Sequence, residues 1–193
     1  LPLLRGWDFG LTPACVVCQV QEHQLVVLHE FVEFNMGIDR FSDIVTQQCA
    51  VLFPNWRDPK KDYLDFIDPA GFARAQTDER TCAEVMIGKG LRVHPGAITW
   101  ESRRKAVEHF LTVRTNRGPG FRMSLPTCDT LAKGFKGGYQ YPENAGVIEP
   151  AKLRPLKNKY SHVHDALQMV ASKLREIRSS NNTTRKAPPN PYY

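Results

Sequence analysis

Two aspartates stand at the ends of strand-like segments, where a carboxylate could take part in chemistry. Asp8 lies in the β-rich run 3–10 between two aromatic residues. A carboxylate buried in such a strand is costly unless a cation or hydrogen-bond donors face it. Asp68 ends the run 63–67, at the carboxyl edge of an expected parallel strand, where open α/β sheets bind their ligands. Because it precedes a proline, Asp68 taken alone is better explained as a turn former, but both interpretations stay open.

A third acid, Asp165, lies near the start of the clearest predicted helix, residues 160–177. His162 precedes it by three residues, so the two side chains are neighbours on the helix surface. An acid here also interacts favourably with the helix dipole, and His162 is equally compatible with having no role. At about 100° per residue, Asp165 lies roughly opposite the centre of the apolar face. Periodicity alone therefore predicts a solvated side chain.

The elements that must position these acids begin with three β-rich runs, 3–10, 14–20 and 25–34. Their short, polar connections predict an antiparallel meander. Alternating strands and helices follow, so we expect an α/β fold with a mixed sheet of five or more strands and helices on both faces. The predicted strands after the meander are 63–67, 91–93 and 121–125, and the predicted helices are 38–53, 81–87, 101–115, 127–133 and 160–177.

Length and composition are those of one globular domain. The chain has 193 residues, 41% hydrophobic, and 26 Lys and Arg against 20 Asp and Glu, which gives a net charge of +6. This composition excludes the disordered and collagen-like classes for most of the chain. The excess positive charge is compatible with a polyanionic partner. No apolar run is long enough for a transmembrane helix, and the missing initiator Met and signal pattern suggest a domain from a longer polypeptide.

Two segments fall outside the regular pattern. Residues 134–159 are rich in Gly, Pro, Lys and Tyr, which predicts a long loop with a small hairpin around 139–141. Residues 178–193 have almost no aliphatic side chains, which predicts a disordered basic tail. We therefore expect a folded domain over 1–177 followed by that tail.

The five cysteines are odd in number and scattered, which does not indicate a disulfide framework. Cys15 and Cys18 have the spacing of a redox or zinc motif, but no second pair of ligands accompanies them. We predict that both thiols are buried apolar groups. The alternative, a thiol oxidoreductase, predicts that alkylation abolishes activity.

Four segments spread over about residues 3–177 form an ordered pattern. The most specific is a lysine-rich approach to Ser-His-x-x-Asp-Ala. Together the four segments resemble the nuclease domain of the large terminase subunit of tailed double-stranded DNA phages, which has an RNase H/integrase-like fold. The segments are Gly-Trp-Asp-Phe-Gly (6–10), Phe-Ile-Asp-Pro-Ala-Gly (66–71), Leu-Pro-Thr-Cys (125–128) with the loop after it, and Pro-Leu-Lys-Asn-Lys-Tyr-Ser-His running into His-Asp-Ala (155–166).

The resemblance implies the site residues. Asp8, Asp68 and Asp165 match the carboxylates with which the family binds two divalent ions, Mg²⁺ or Mn²⁺. On this hypothesis Asp8 bridges both ions, and the other two acids each flank one. His162 matches a histidine of some members, which orients the last carboxylate or shuttles a proton. Hard divalent ions prefer such oxygen ligands, and two of them stabilise the attacking and leaving oxygens of phosphodiester hydrolysis.

The resemblance also implies the reaction. The domain is expected to be an endonuclease that cuts concatemeric double-stranded viral DNA with little sequence specificity. Because phosphate contacts dominate DNA affinity, cations near the third acid are the expected contacts with the DNA backbone. The basic cluster 103–105 is instead expected to be a solvated helix face. The candidate DNA-binding residues are Lys157 and Lys159, followed by Lys133, Lys136, Lys152 and Arg154, with Tyr139 and Tyr141 interleaved.

The family context implies several partners. No G-x-x-x-x-G-K-[ST] phosphate loop occurs in the chain, so the ATPase domain is expected elsewhere in the full-length polypeptide. The portal protein and the small terminase subunit are expected partners, in the host cytoplasm at the procapsid portal vertex, without a membrane and not in the mature virion. Two alternatives remain: a non-catalytic docking module that binds such partners through the tail, and a resolvase or transposase core of the same fold.

Overall fold

The computed structural model describes residues 1–56, 58, 61–73, 80–149 and 152–183, and the side chains as far as residue 176. The strands are β1 (Leu3–Asp8), β2 (Ala14–Gln21), β3 (Gln24–Val32), β4 (Tyr63–Ile67), β5 (Val93–Pro95), β6 (Arg114–Thr115), β7 (Gly118–Pro119) and β8 (Phe121–Met123). The helices are α1 (Ile38–Leu52), α2 (Cys82–Gly88), α3 (Trp100–Thr112), α4 (Asp129–Lys133) and α5 (Ser161–Thr183).

Six strands form one mixed sheet in the order β5-β4-β1-β2-β3-β8. β1, β2 and β3 pair antiparallel, as their short connections predict. β4 and β5 extend the sheet in parallel beyond β1, and β8 pairs in parallel with β3. The predicted α/β class, with antiparallel strands first and parallel strands afterwards, is confirmed.

Helices cover both faces of the sheet, as predicted. α3, α4 and α5 pack on one face, and α1 and α2 lie on the other. Side chains alternate between the faces along each strand, so Asp8 shares a face with Gly6, towards α5. A Cβ atom on Gly6 would lie 2.0 Å from the carbonyl oxygen of Ala166. The absent side chain lets α5 approach β1 closely and brings the beginning of α5 to the end of that strand.

The opposite face holds a buried ion pair under α1 and α2. Arg5 Nε donates to Asp65 Oδ1 over 2.7 Å, and Arg5 Nη2 donates to Asp65 Oδ2 over 3.0 Å. Trp7 Nε1 also donates to Asp65 Oδ1, over 2.8 Å. Arg5 and Asp65 are both completely buried. Asp65 is therefore a structural acid, on the face away from Asp68, as its position three residues earlier predicts.

The prediction that Cys15 and Cys18 are buried is confirmed. Both thiols are completely buried, and burial raises their pKa values well above the ordinary value. They belong to the cores on opposite faces of β2, so they cannot act together on one substrate. This arrangement argues against the thiol oxidoreductase alternative.

The structure differs from the predictions for parts of the two irregular segments. Residues Gly134–Gly138 continue α4 as a π-type turn, and the described residues of 134–159 form no hairpin. Tyr139 lies outside the strands of the described chain, and its ring stacks on His164 with ring centroids 4.4 Å apart. α5 runs to Thr183, into the segment predicted to be a disordered tail, whereas residues 184–193 lie outside the described part. None of the described helices has the length and apolarity needed to cross a membrane.

Candidate functional site

A cavity of about 150 Å³ is lined by all three predicted aspartates. Asp8 is the last residue of β1, and Asp68 directly follows β4. β1 and β4 are adjacent parallel strands, so their carboxyl ends meet at one edge of the sheet. Asp165 joins them from α5, which crosses this face. The fold thus brings together three acids that are far apart in the sequence.

Asp8 is held by the first turn of α5. A hydrogen bond of 2.8 Å joins its Oδ2 to Nδ1 of His162. The expectation that His162 orients Asp165 is wrong, because α5 lies over β1 and directs His162 to the end of that strand. Burial raises the pKa of Asp8 to about 6; the hydrogen bond with His162 opposes this rise, and the charge of Asp165 adds to it.

Asp68 forms a turn, as one of the two interpretations predicts, and its carboxylate also lines the cavity. Its Oδ1 accepts a hydrogen bond of 2.9 Å from the backbone N–H of Ala70, which caps the short helical turn Pro69–Phe72. Its Oδ2 accepts a hydrogen bond of 3.0 Å from Nη1 of Arg103. The turn therefore fixes the carboxylate at the edge of the cavity.

The prediction that Arg103 belongs to a solvated helix face is wrong. Its side chain is 19% exposed and lines the cavity, whereas Arg104 and Lys105 are more exposed and pair with acids on their own helix. The Nε of Arg103 is buried and has no hydrogen-bond partner among the described residues. The signal in the sequence was its spacing from Ala106 and Phe110, whose side chains are buried on the inner face of α3.

The prediction that Asp165 is solvated is also wrong, since the residue is only 6% exposed. The segment before α5 covers the polar side of the helix. Tyr139 donates a hydrogen bond of 3.3 Å from its hydroxyl to Asp165 Oδ1, and Lys157 Nζ pairs with Oδ2. Burial raises the pKa of Tyr139, so its hydroxyl keeps the proton that it donates. Gln168, which periodicity did not single out, donates from its Nε2 to the Tyr139 hydroxyl over 3.0 Å.

The predicted DNA-binding residues divide into two groups. Arg154 and Lys157 line the cavity. The others are exposed but lie outside its lining. Among these, Lys133 pairs with Asp129, Lys152 pairs with Glu149, Lys159 lies over the ring of Tyr160, and Lys136 is exposed on the π-type turn.

The donor set fits hard divalent cations, because it consists of carboxylate oxygens around one cavity. Each acid, however, already has a basic partner: His162 for Asp8, Arg103 for Asp68 and Lys157 for Asp165. With the side chains in this arrangement, no three acidic, His or Cys residues of the described chain converge closely enough to hold one ion. Ion binding therefore requires side chains to reorient, and Lys157 has the freedom to do so since its side chain is 74% exposed.

The raised pKa of Asp8 predicts a pH-dependent cost in the protein without metal. The folded state disfavours the carboxylate, so this cost grows as the pH rises from the ordinary pKa of 3.8 to about 6 and is complete above that. We expect the free energy of unfolding of Asp8→Asn, relative to that of the wild type, to rise by about 2–3 kcal/mol between pH 4 and pH 7, because the pKa shift is worth roughly 3 kcal/mol and most of it develops in this range.

Urea unfolding in EDTA at several pH values measures this difference. Asp129→Asn is the matched control, since that carboxylate is exposed on α4 and should show no comparable gain. A difference between Asp8→Asn and the wild type that stays constant from acid to neutral pH would contradict the prediction.

Comparison with known proteins gives matches in structure only. No protein-family model matches the sequence, and no curated protein matches it. A large terminase from a thermophilic bacteriophage has a TM-score of 0.68 at 12% identity over 90% of this chain. The chain spans only 39% of that protein.

Isolated nuclease domains of large terminases match along most of their length. The domain of g2p from bacteriophage SPP1, solved with bound Mn, has a TM-score of 0.55 at 13% identity and covers 91% of this chain and 87% of its own. The domain from the thermophilic phage G20c, solved with bound magnesium, has a TM-score of 0.55 at 12% identity and covers 89% and 81%. The chain therefore has the RNase H-like fold of these nuclease domains.

Proposed function

We propose that this chain is the metal-dependent endonuclease domain of a phage DNA-packaging terminase. It would hydrolyse phosphodiester bonds of concatemeric double-stranded viral DNA with little sequence specificity. The observation that carries this proposal is the cavity lined by Asp8, Asp68 and Asp165, on the fold of nuclease domains that bind divalent ions.

In this proposal the three aspartates hold two divalent ions, Mg²⁺ or Mn²⁺. When bound, such ions lower the pKa of a water nucleophile and stabilise the charge that develops on the phosphate oxygens. Asp8 is suited to the central position, because burial and the nearby Asp165 leave its carboxylate short of compensating charge. His162 orients Asp8 through their 2.8 Å hydrogen bond, and Tyr139 orients Asp165.

Basic residues around the cavity would receive the DNA backbone. Arg103, Arg154 and Lys157 line it together with the acids. A phosphate at the mouth of the cavity offers Arg103 and Lys157 an alternative partner to the aspartates that they now neutralise. Such contacts are made to the backbone and carry no sequence information, which agrees with cutting of low specificity.

The partners follow from the same proposal. A large terminase of which this chain covers 39% was solved in complex with ATP-gamma-S, and this supports the proposal of an ATPase domain in the same full-length polypeptide. The portal protein and the small terminase subunit would be its partners in the host cytoplasm, at the portal vertex. The exposed Lys133, Lys136 and Lys159 lie outside the cavity and remain candidates for contacts further along the DNA.

Manganese titration of the wild-type protein tests this proposal. We expect isothermal calorimetry to detect Mn²⁺ binding, and supercoiled plasmid to be nicked in Mn²⁺ but not in EDTA. Binding should weaken strongly in Asp68→Asn and stay unchanged in Asp129→Asn, whose carboxylate lies on α4 outside the cavity. A docking module without catalytic function predicts neither Mn²⁺ binding at the aspartates nor nicking, so the absence of both would overturn the proposal.

A further inference from the structure

A second cavity, of about 170 Å³, lies beside the acidic one, between α3, the turn Gly134–Gly138 and α5. Trp100 and Tyr139 line both cavities, so the two spaces are adjacent. Phe135 adds a third aromatic side chain to the lining of the second cavity. The proposed nuclease chemistry leaves this second cavity without a role.

The aromatic wall of the second cavity is held in place by ring contacts. Tyr139 stacks on His164 with an angle of 10° between the rings, and Phe135 meets His164 edge-on with centroids 4.6 Å apart. The hydroxyl of Tyr139 is also fixed, because it accepts from Gln168 and donates to Asp165. These contacts hold Tyr139 and Phe135 in place in the lining before any ligand binds, and aromatic side chains of this kind suit a planar ligand.

One buried polar side chain in the lining has an unused hydrogen-bonding atom. Gln168 is only 3% exposed. Within the described part of the chain, its Oε1 is buried and has no hydrogen-bond partner. A buried amide oxygen without a donor is unfavourable, and a ligand N–H group would satisfy it once the Gln168 side chain turns this oxygen towards the cavity.

We propose that this second cavity binds one unpaired nucleobase of the DNA strand whose phosphate lies at the aspartates. The inference rests on the proposed function, which supplies the DNA. A nucleobase has a planar face for the aromatic wall and N–H groups at its edge for Gln168 Oε1. Since the cavities share Trp100 and Tyr139, a base in one and its backbone at the other belong to the same stretch of strand.

This proposal gives the cutting reaction a local requirement. A base reaches the second cavity only when it has left the duplex, so the strand must be unpaired or distorted next to the phosphate that is cut. Stacking tolerates any base, so the requirement does not create a sequence consensus. The hydrogen bonds from Gln168 through Tyr139 to Asp165 connect the bound base with the site of chemistry.

The experiment compares two labelled DNA duplexes by fluorescence anisotropy, with the full chain in EDTA. One duplex carries a single unpaired cytosine, and the other has an abasic residue at the same place. We expect the wild type to bind the cytosine duplex about tenfold more tightly, in keeping with the stacking of one base. Val107→Trp, which fills the cavity, and Gln168→Leu, which removes the acceptor, should each bring the two affinities together.

Leu111→Trp is the matched control for added bulk on α3, because Leu111 is exposed and lies outside the cavity lining; it should keep the tenfold preference. Equal affinity of the wild type for the two duplexes overturns the proposal. So does deoxycytidine 5′-monophosphate if it binds as tightly as the cytosine duplex, since the cavity would then take a free nucleotide. Asp68→Asn should lose nicking but keep the preference, which separates failure of this proposal from failure of the nuclease proposal.

Discussion

Asp165→Asn should reduce Mn²⁺-dependent nicking of plasmid DNA at least a hundredfold, and Asp8→Asn and Asp68→Asn should have the same effect. An amide preserves the size of the side chain but lacks the negative charge that a divalent ion requires. All three residues line the same cavity. In the proposed site each supplies its own carboxylate to the ions, so none can replace another. Initial rates of conversion of supercoiled to relaxed plasmid measure the loss.

Two further measurements make this result interpretable. Asp129→Asn, on the exposed side of α4, should nick at the wild-type rate. Thermal unfolding of each variant should remain cooperative, because Asp→Asn preserves the size of the side chain and removes no packing from the apolar cores. Wild-type nicking by any one of the three variants would remove that residue from the site, and wild-type nicking by all three would refute the nuclease proposal as built on these acids.

The second large effect concerns stability. Asp65→Ala should lower the free energy of unfolding by about 3–5 kcal/mol, because it leaves the guanidinium of Arg5 buried without its counter-ion. The indole N–H of Trp7 loses its acceptor in the same variant. Urea unfolding at neutral pH measures the change, and Glu101→Ala, which breaks an exposed ion pair on α3, should leave the free energy of unfolding almost unchanged.

A double variant separates the buried charge from the loss of side-chain volume. Asp65→Leu combined with Arg5→Met removes both members of the pair and replaces them with apolar groups, so it should recover much of the lost stability. If Asp65→Ala cost no more than Glu101→Ala, the buried pair would not be the stabilising contact that its geometry indicates.

The sheet could be predicted from the sequence because its signals are local. Short polar connections determine that β1, β2 and β3 pair antiparallel, and alternation along β1 separates Asp8 from Arg5. The predicted helix 160–177 is shorter than α5, which runs to Thr183. The residues after 177 are polar, so they carry no apolar periodicity, but a helix can continue through its own backbone hydrogen bonds.

The environment of the acids could not be predicted, because it depends on contacts between distant segments. Periodicity places Asp165 on the polar side of α5, but residues that precede the helix fold over that side and bury it. Arg103 looks solvated when α3 is considered alone, and it becomes a partner of Asp68 only once α3 packs against α5. His162 meets Asp8 for the same reason, since the crossing of α5 over β1 is a property of the whole fold.

The close approach of α5 to β1 at Gly6 has a consequence for how the sequence can diverge. Any side chain at position 6 would collide with the backbone of Ala166, next to Asp165, and with Val170. A mutation at this glycine would push the helix outward and change the spacing of two acids that it does not itself touch. Under the proposed nuclease function, a change at Gly6 would therefore impair cleavage even though this residue has no chemistry of its own.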